Sequence, residues 1–221
     1  MRLLALVLVV ALSSGVAHAQ TDGLTIDLAP LGERPPELSE QRPYELVLTE
    51  GVTATLAAFL NARSCTRASV RSLAFEDVSG SDVSTRRLSE DGGRVFKERL
   101  FVDMCGAQYM PNYYFIHAPD RPLRMTEGVP GQTRASLQLQ ADVQPLVLRV
   151  ARTLAQCPEP NNLGLVHTTV DEARAEDDGA WEETWIVSAC RARVDIPVRF
   201  QPSERGGIDF AINGENARVT R

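Results

Sequence analysis

The sequence predicts an α+β protein: an internally duplicated unit of one helix and an antiparallel β-meander, each half closed by one disulfide. Three observations predict it. Phe96 to Cys105 and Trp181 to Cys190 align in register, each with an aromatic, a glutamate two places on, a large apolar residue, a valine and a terminal cysteine. Each stretch has an earlier cysteine, Cys65 or Cys157, at the end of a predicted helix. After each helix comes a run of strands rather than strict strand and helix alternation, which favours α+β over doubly wound α/β.

The elements follow in chain order. Residues 1–19 read as a secretory signal, with Arg2 as the positive start, Leu3 to Leu12 as the apolar stretch and Ala17-His18-Ala19 as the cleavage site. The mature chain is therefore expected to begin at Gln20. The apolar stretch is too short to anchor the chain, and no membrane insertion is expected after cleavage. Residues 20–43 form a proline-rich arm with Pro30, Pro35, Pro36 and Pro43, expected to be extended and poorly packed apart from a short strand at Leu24 to Leu28.

The first repeat is expected over 44–134. It opens with an edge strand at Tyr44 to Leu48, then a helix capped by Thr49 and running through Leu56, Ala57, Phe59 and Leu60 toward Cys65. Its strands are Ser69 to Val78, Arg94 to Met104 and Ala107 to His117, with Arg121 to Gln132 as a linker. The second repeat is expected over 135–221. Ala135 to Ala141 is read as a crossover strand, Asp142 as the residue before a helix with Pro145 in its first turn, and Leu163 to Val170, Trp181 to Ala189, Arg193 to Phe200 and Ile208 to Ile212 as strands.

Four cysteines in a chain with a leader suggest disulfides in an oxidising compartment. Three pairings are possible, and the repeat selects Cys65 with Cys105 and Cys157 with Cys190. Each would close a loop of roughly 30–40 residues and contribute about 4 kcal/mol in the chain-entropy model.

The net charge of −6 argues against a duplex nucleic-acid surface, which needs clustered cations. Lys97 is the one lysine of the chain, a bias toward arginine that reads first as codon usage.

The candidate catalytic residues are Glu98 and Glu183. Strand periodicity places each on the apolar face of its strand, where a desolvated carboxylate could serve as general acid or base. The competing reading is an ion pair with an inward arginine or a place near the sheet edge. Trp181 and Trp185 could stack a sugar, but Phe96 and Leu100 at the matching positions conserve bulk, which favours core packing. His117 and His167 have no metal-ligand spacing around them, and neither metal nor cofactor is expected. Tyr113 and Tyr114 lie on opposite faces of one strand, so at least one could reach the surface as an interface anchor, while the commoner reading is that such tyrosines bury the ring and leave the hydroxyl wet. Asp171 to Asp178 lacks the oxygen spacing of a calcium loop and reads as a solvated hairpin tip. No G-x-S-x-G, S-x-x-K, phosphate-cradling or dinucleotide motif occurs.

The stretch from Trp181 to Ile212 resembles a pattern of uncharacterised secreted proteobacterial proteins. The matching residues are Trp181, Glu183, Trp185, Val187, Cys190, Val194, Ile196, Val198, Phe200, Pro202, Gly206 and Gly207, with Arg191 where that pattern has glycine. The resemblance implies a bacterial envelope protein and brings no activity. The sequence leads to an exported, periplasmic or secreted, non-enzymatic protein that binds an envelope protein or a small ligand. The alternative is an envelope hydrolase with Glu98 or Glu183 as proton donor.

Overall fold

The computed structural model describes residues 17–21, 24–29, 34–38, 44, 47–53, 66–81, 83–89, 92–159, 162–172 and 179–221. The chain divides into two compact units, Met1–Glu127 and Gly128–Arg221.

The first unit is built on a seven-stranded sheet. β1 (Ala17–Thr21) lies antiparallel to β2 (Leu24–Leu28), and β2 lies parallel to β3 (Arg67–Asp77). β4 (Arg94–Met104) follows antiparallel to β3 and pairs on its other side with β5 (Ala107–Tyr109) and β6 (Asn112–Ala118), and β7 (Arg121–Gly128) borders β6. A parallel pair needs a long crossover. Here the connection from β2 to β3 carries a 3-10 turn at Pro36–Leu38 and a helix, α1, through residues 47–53. Leu38, Tyr44, Leu48 and Val52 from this crossover are buried in one cluster with Val70, Phe96, Leu100 and Phe115. A six-residue helix, α2 (Val83–Leu88), connects β3 to β4.

Four expectations change in this unit. The expected strand at Leu24 to Leu28 forms and places Ile26 and Leu28 in the core, and beyond it Leu38 is also a core residue, so the described part of the proline-rich arm is not poorly packed. Tyr44 to Leu48 is not an edge strand: residues 44 and 47–53 are helical, and Tyr44, Leu48 and Val52, at a spacing of four that suits one face of a helix as well as one face of a strand, are all buried. The continuation through Leu56 to Cys65 lies outside the described residues. Finally, Ala107 to His117 is two strands, since Met110 and Pro111 break the ladder, and the Arg121 end of the expected linker is β7.

The second unit pairs α3 (Leu137–Ala155) with a five-stranded antiparallel sheet. The strands are β8 (Leu163–Val170), β9 (Trp181–Ala189), β10 (Ala192–Pro202), β11 (Ile208–Ile212) and β12 (Arg218–Thr220), in the order β11-β10-β9-β8, with β12 beside β10. Along β9 and β10 burial alternates, which puts Trp185, Val187, Val194, Ile196, Val198 and Phe200 into the core. Pro197 sits where the outer neighbour of β10 changes from β11 to β12, and its carbonyl accepts a hydrogen bond from Asn213 N at 3.0 Å. A proline is tolerated there because the ladder is already interrupted.

The helix starts earlier than Asp142, and Ala135 to Ala141 is not a strand. Ser136 is the N-cap, its side chain accepting from Leu139 N at 3.2 Å. Pro145 therefore stands in mid-helix, at a cost of about 3 kcal/mol. Leu139, Val143, Val147 and Ala151, four residues apart and all buried, supply the compensating stripe against the sheet. Gln156 closes the helix in the left-handed conformation, and the Cys157–Cys190 disulfide joins this end of α3 to the turn after β9. Cys105 is also disulfide-bonded, and Cys65, its expected partner, lies outside the described residues.

The fold class differs from the expectation as a whole. Among the described residues strands make up 51% and helices 22%, in two sheets. The protein is mostly β, not a duplicated helix-plus-meander α+β unit. The aligned ten-residue stretches are β4 and β9 with their exit turns; around them the sheets differ in strand number and in the parallel β2–β3 pair. Sequence similarity over one strand cannot report what its neighbours will be, because pairing partners are chosen at long range.

Candidate functional site

Glu98 lies on the core face of β4 and is fully buried. Its Oε1 accepts from Arg34 Nη2 at 2.8 Å and its Oε2 from the Tyr44 hydroxyl. Arg34 comes from the arm and Tyr44 from the start of the crossover helix, so one carboxylate fastens both to the sheet. The Arg34 guanidinium also donates to Ser72 Oγ at 3.2 Å and stands 4.4 Å from the centre of the Phe75 ring. Burial works against the arginine charge, but Glu98 outweighs it and holds the guanidinium above its usual value. Burial, reinforced by Glu98, pushes the Tyr44 hydroxyl up, so it stays a proton-bearing donor.

Glu183 occupies the corresponding place on β9 and is also fully buried. No cation contributes to its hydrogen bonds: Oε1 accepts from Trp181 Nε1 at 3.0 Å and from the backbone N of Arg134 at 2.8 Å, and Oε2 accepts from Trp185 Nε1 at 3.0 Å. The Thr133 hydroxyl lies 3.0 Å from Oε1 and 2.9 Å from Oε2 and donates between them. Residues two apart on a strand share a face, so the W-x-E-x-W spacing brings two indole N–H groups to one carboxylate. The tryptophans are thus core residues and hydrogen-bond donors, not an open sugar platform.

Thr133 and Arg134 belong to the segment that leads into α3, and among the described residues the buried polar side chains of this unit, Gln140, Thr168 and Glu183, all bond to that segment. Gln140 accepts from Val129 N at 2.9 Å and donates to Ala135 O at 2.7 Å. Thr168 donates its hydroxyl to Pro130 O at 2.6 Å, while its backbone exchanges hydrogen bonds with Pro130 O and Gln132 N, both 2.8 Å. Gly131 makes this possible: its φ is +90°, and a Cβ there would lie 2.4 Å from Thr168 O. Together, Gln140, Thr168 and Glu183 tie residues 129–135 to α3, β8 and β9, with one isolated parallel bridge between Gly131 and Thr168.

The remaining candidates separate from one another. His117 is buried with no hydrogen-bond partner for Nδ1, on β6 opposite Arg94. His167 is half-buried in the other unit, where burial and then Arg193 hold its pKa below the ordinary 6.5. Tyr113 and Tyr114 are both buried, so neither is a surface anchor. Tyr109 donates to Glu127 at 2.9 Å, and burial pushes its hydroxyl up. Asp171 and Glu172 precede residues 173–178, which lie outside the described set, and Glu172 pairs with Arg134. Among the described residues, no three His, Cys, Asp or Glu side chains gather as a metal site.

Arg34 was not legible as a partner of Glu98, since nothing marks one arginine in a proline-rich arm. Thr133, Gln140 and Thr168 were equally silent. The tryptophan clamp had a signal, the alternating positions 181, 183 and 185, once indole N–H groups are counted as donors.

The fold and these sites define a mostly β protein with two compact units, each carrying a buried, internally bonded glutamate. Comparison with protein-family models, with curated proteins and with solved structures finds no match to the chain. The Cys157–Cys190 disulfide suits an oxidising compartment, and among the described residues no helix is long and apolar enough to cross a membrane.

Proposed function

We propose that this chain is an exported, non-enzymatic envelope protein that acts by binding a partner protein or a small ligand. The observation that carries this reading is the commitment of both glutamates, the strongest chemical candidates in the chain, to internal donors at full burial. A general acid has to come within about 3 Å of the proton's destination on a substrate. Neither carboxylate presents an oxygen to solvent. The leader, the disulfide chemistry and the resemblance of the Trp181–Ile212 stretch to secreted proteobacterial proteins support the envelope as the place of action.

Native mass spectrometry of the oxidised protein, taken gently from the envelope fraction, tests the reading together with turnover assays on envelope glycans, esters and peptides. A retained companion without turnover is expected. Turnover lost in E98Q or E183Q, with circular dichroism showing that the variant is folded, would establish the hydrolase instead.

A further inference from the structure

We infer that Asn213 is a site of spontaneous deamidation, and that the isoaspartate formed there releases β12 from β10. Asn213 is the one asparagine of the chain that a glycine follows. It is exposed in the loop between β11 and β12, and its Oδ1 accepts from Asn216 N at 3.2 Å. Among the described residues, neither its side-chain nitrogen nor the Gly214 N–H donates to any group. The fold does not call for glycine at 214 either. Its φ lies outside the left-handed region, and an added Cβ would stand 3.6 Å from Val150 Cγ1, an ordinary contact. What the glycine leaves is an unshielded backbone nitrogen beside an amide in water.

Hydroxide takes the Gly214 amide proton, and the nitrogen attacks Asn213 Cγ. The N–Cγ bond forms and the Cγ–Nδ2 bond breaks; ammonia leaves with a proton from water, which restores the hydroxide, and a cyclic imide remains. The negative charge that collects on Oδ1 during the attack falls where the Asn216 N–H already donates. Water then opens the imide to aspartate or to isoaspartate, whose main chain runs through Cβ and Cγ and is longer by a carbon. That extra length falls between an anchor and a strand. Asn213 N donates to Pro197 O at 3.0 Å, and Arg218 and Thr220 of β12 lie opposite Asp195 and Arg193 of β10. All of β12 is exposed, so the anchor and the ladder hold it without core packing. A lengthened connection shifts it out of register, and no buried side chain draws it back.

The test incubates the oxidised full chain at neutral pH beside a synthetic peptide of residues Gly206–Arg218. Trypsin releases the same fragment from the protein, with Asn213 and the glycine-free control Asn216 both inside it, and electron-transfer fragmentation reads the acid and its isomer at each. Acid is expected at 213 and not at 216, forming in the folded chain at least as fast as in the peptide. G214A, with tryptophan fluorescence showing that it is folded, should slow it at least about tenfold. In the isoaspartate form, amide exchange at Arg218 and Thr220 should rise at least about tenfold, while N213D, which gains the charge without the extra carbon, should keep the protection. Slower conversion in the folded chain than in the peptide, or equal conversion at Asn216, overturns the site. Unchanged exchange of β12 in the isoaspartate form, or an equal rise in N213D, overturns the release.

Discussion

Glu98 and Glu183 sit at matching places on two strands and solve the same problem differently. Both take a carboxylate out of water, and both use it to fasten the segment that leads into the adjacent helix. Glu98 is compensated by a full charge on a side chain at the edge of the core, since the Arg34 side chain is 11% exposed. Glu183 is compensated by dipoles alone, from two indoles, a hydroxyl and a peptide N–H that the fold holds in place. A cation on a flexible stem can turn to water when its partner is lost, whereas an indole in a packed core cannot. Rigidity of the donors, not their charge, sets what each glutamate is worth.

The largest expected effect follows from that contrast. E183A leaves four donors without an acceptor and should destabilise the second unit by about 4 kcal/mol, against about 2–3 kcal/mol for E98A in the first. Urea denaturation separates the two, because both tryptophans of the chain lie in the second unit and fluorescence reports that unit alone. Equal losses, or a larger one for E98A, would contradict the rigidity argument. Replacing both members of the first pair, as in R34M/E98M, should recover most of the E98A loss, since the desolvation of both charges disappears with them.

Next in size is the disulfide. The C157S/C190S variant should lose about 2–4 kcal/mol, with the loss seen in tryptophan fluorescence. A loss shared equally by both units would mean that they unfold as one. G131A comes third, at about 2 kcal/mol, because the new Cβ meets Thr168 O at 2.4 Å and the backbone is left-handed there. Its amide exchange should rise at Gln132 and Thr168 before the rest of the sheet responds.

The smallest effect is acid sensitivity. His167 is held below its ordinary value of 6.5 by burial and by Arg193, so the unfolded chain takes up a proton before the folded one. The second unit therefore keeps its full stability above about pH 6.5 and loses some as the pH falls below that toward the folded value. Half-exposure limits the loss to under about 1 kcal/mol, and H167N should flatten it. In the first unit, burial raises the Asp77 pKa, but hydrogen bonds from Ser79 and Arg94 outweigh it and hold the pKa at about 2. Its contribution is complete above the ordinary 3.8 and fades only as the pH approaches 2, so D77N should leave the behaviour between pH 5 and 7 unchanged.

Much of this contrast was readable from local pattern. The limits of β4, β8, β9 and β11, the burial of Glu98 and Glu183, and the tie between Cys157 and Cys190 follow from alternation and from cysteine placement. A period of two is a property of neighbouring residues and needs no knowledge of what lies across the strand. Where two periods fit a short stretch equally, as at Tyr44 to Leu48, the sequence had no means to choose.

By itself, then, the sequence determined which residues of β4, β9 and β10 face inward, because alternation there is a matter of spacing along one chain. Only the tertiary structure decided what they meet there. It placed Arg34 and Tyr44 on one glutamate and two indoles and a loop on the other, set β2 parallel to β3, and made the chain mostly β instead of a doubled α+β unit. Those outcomes depend on contacts between residues tens of positions apart, whose free energy appears only when the whole core closes around them.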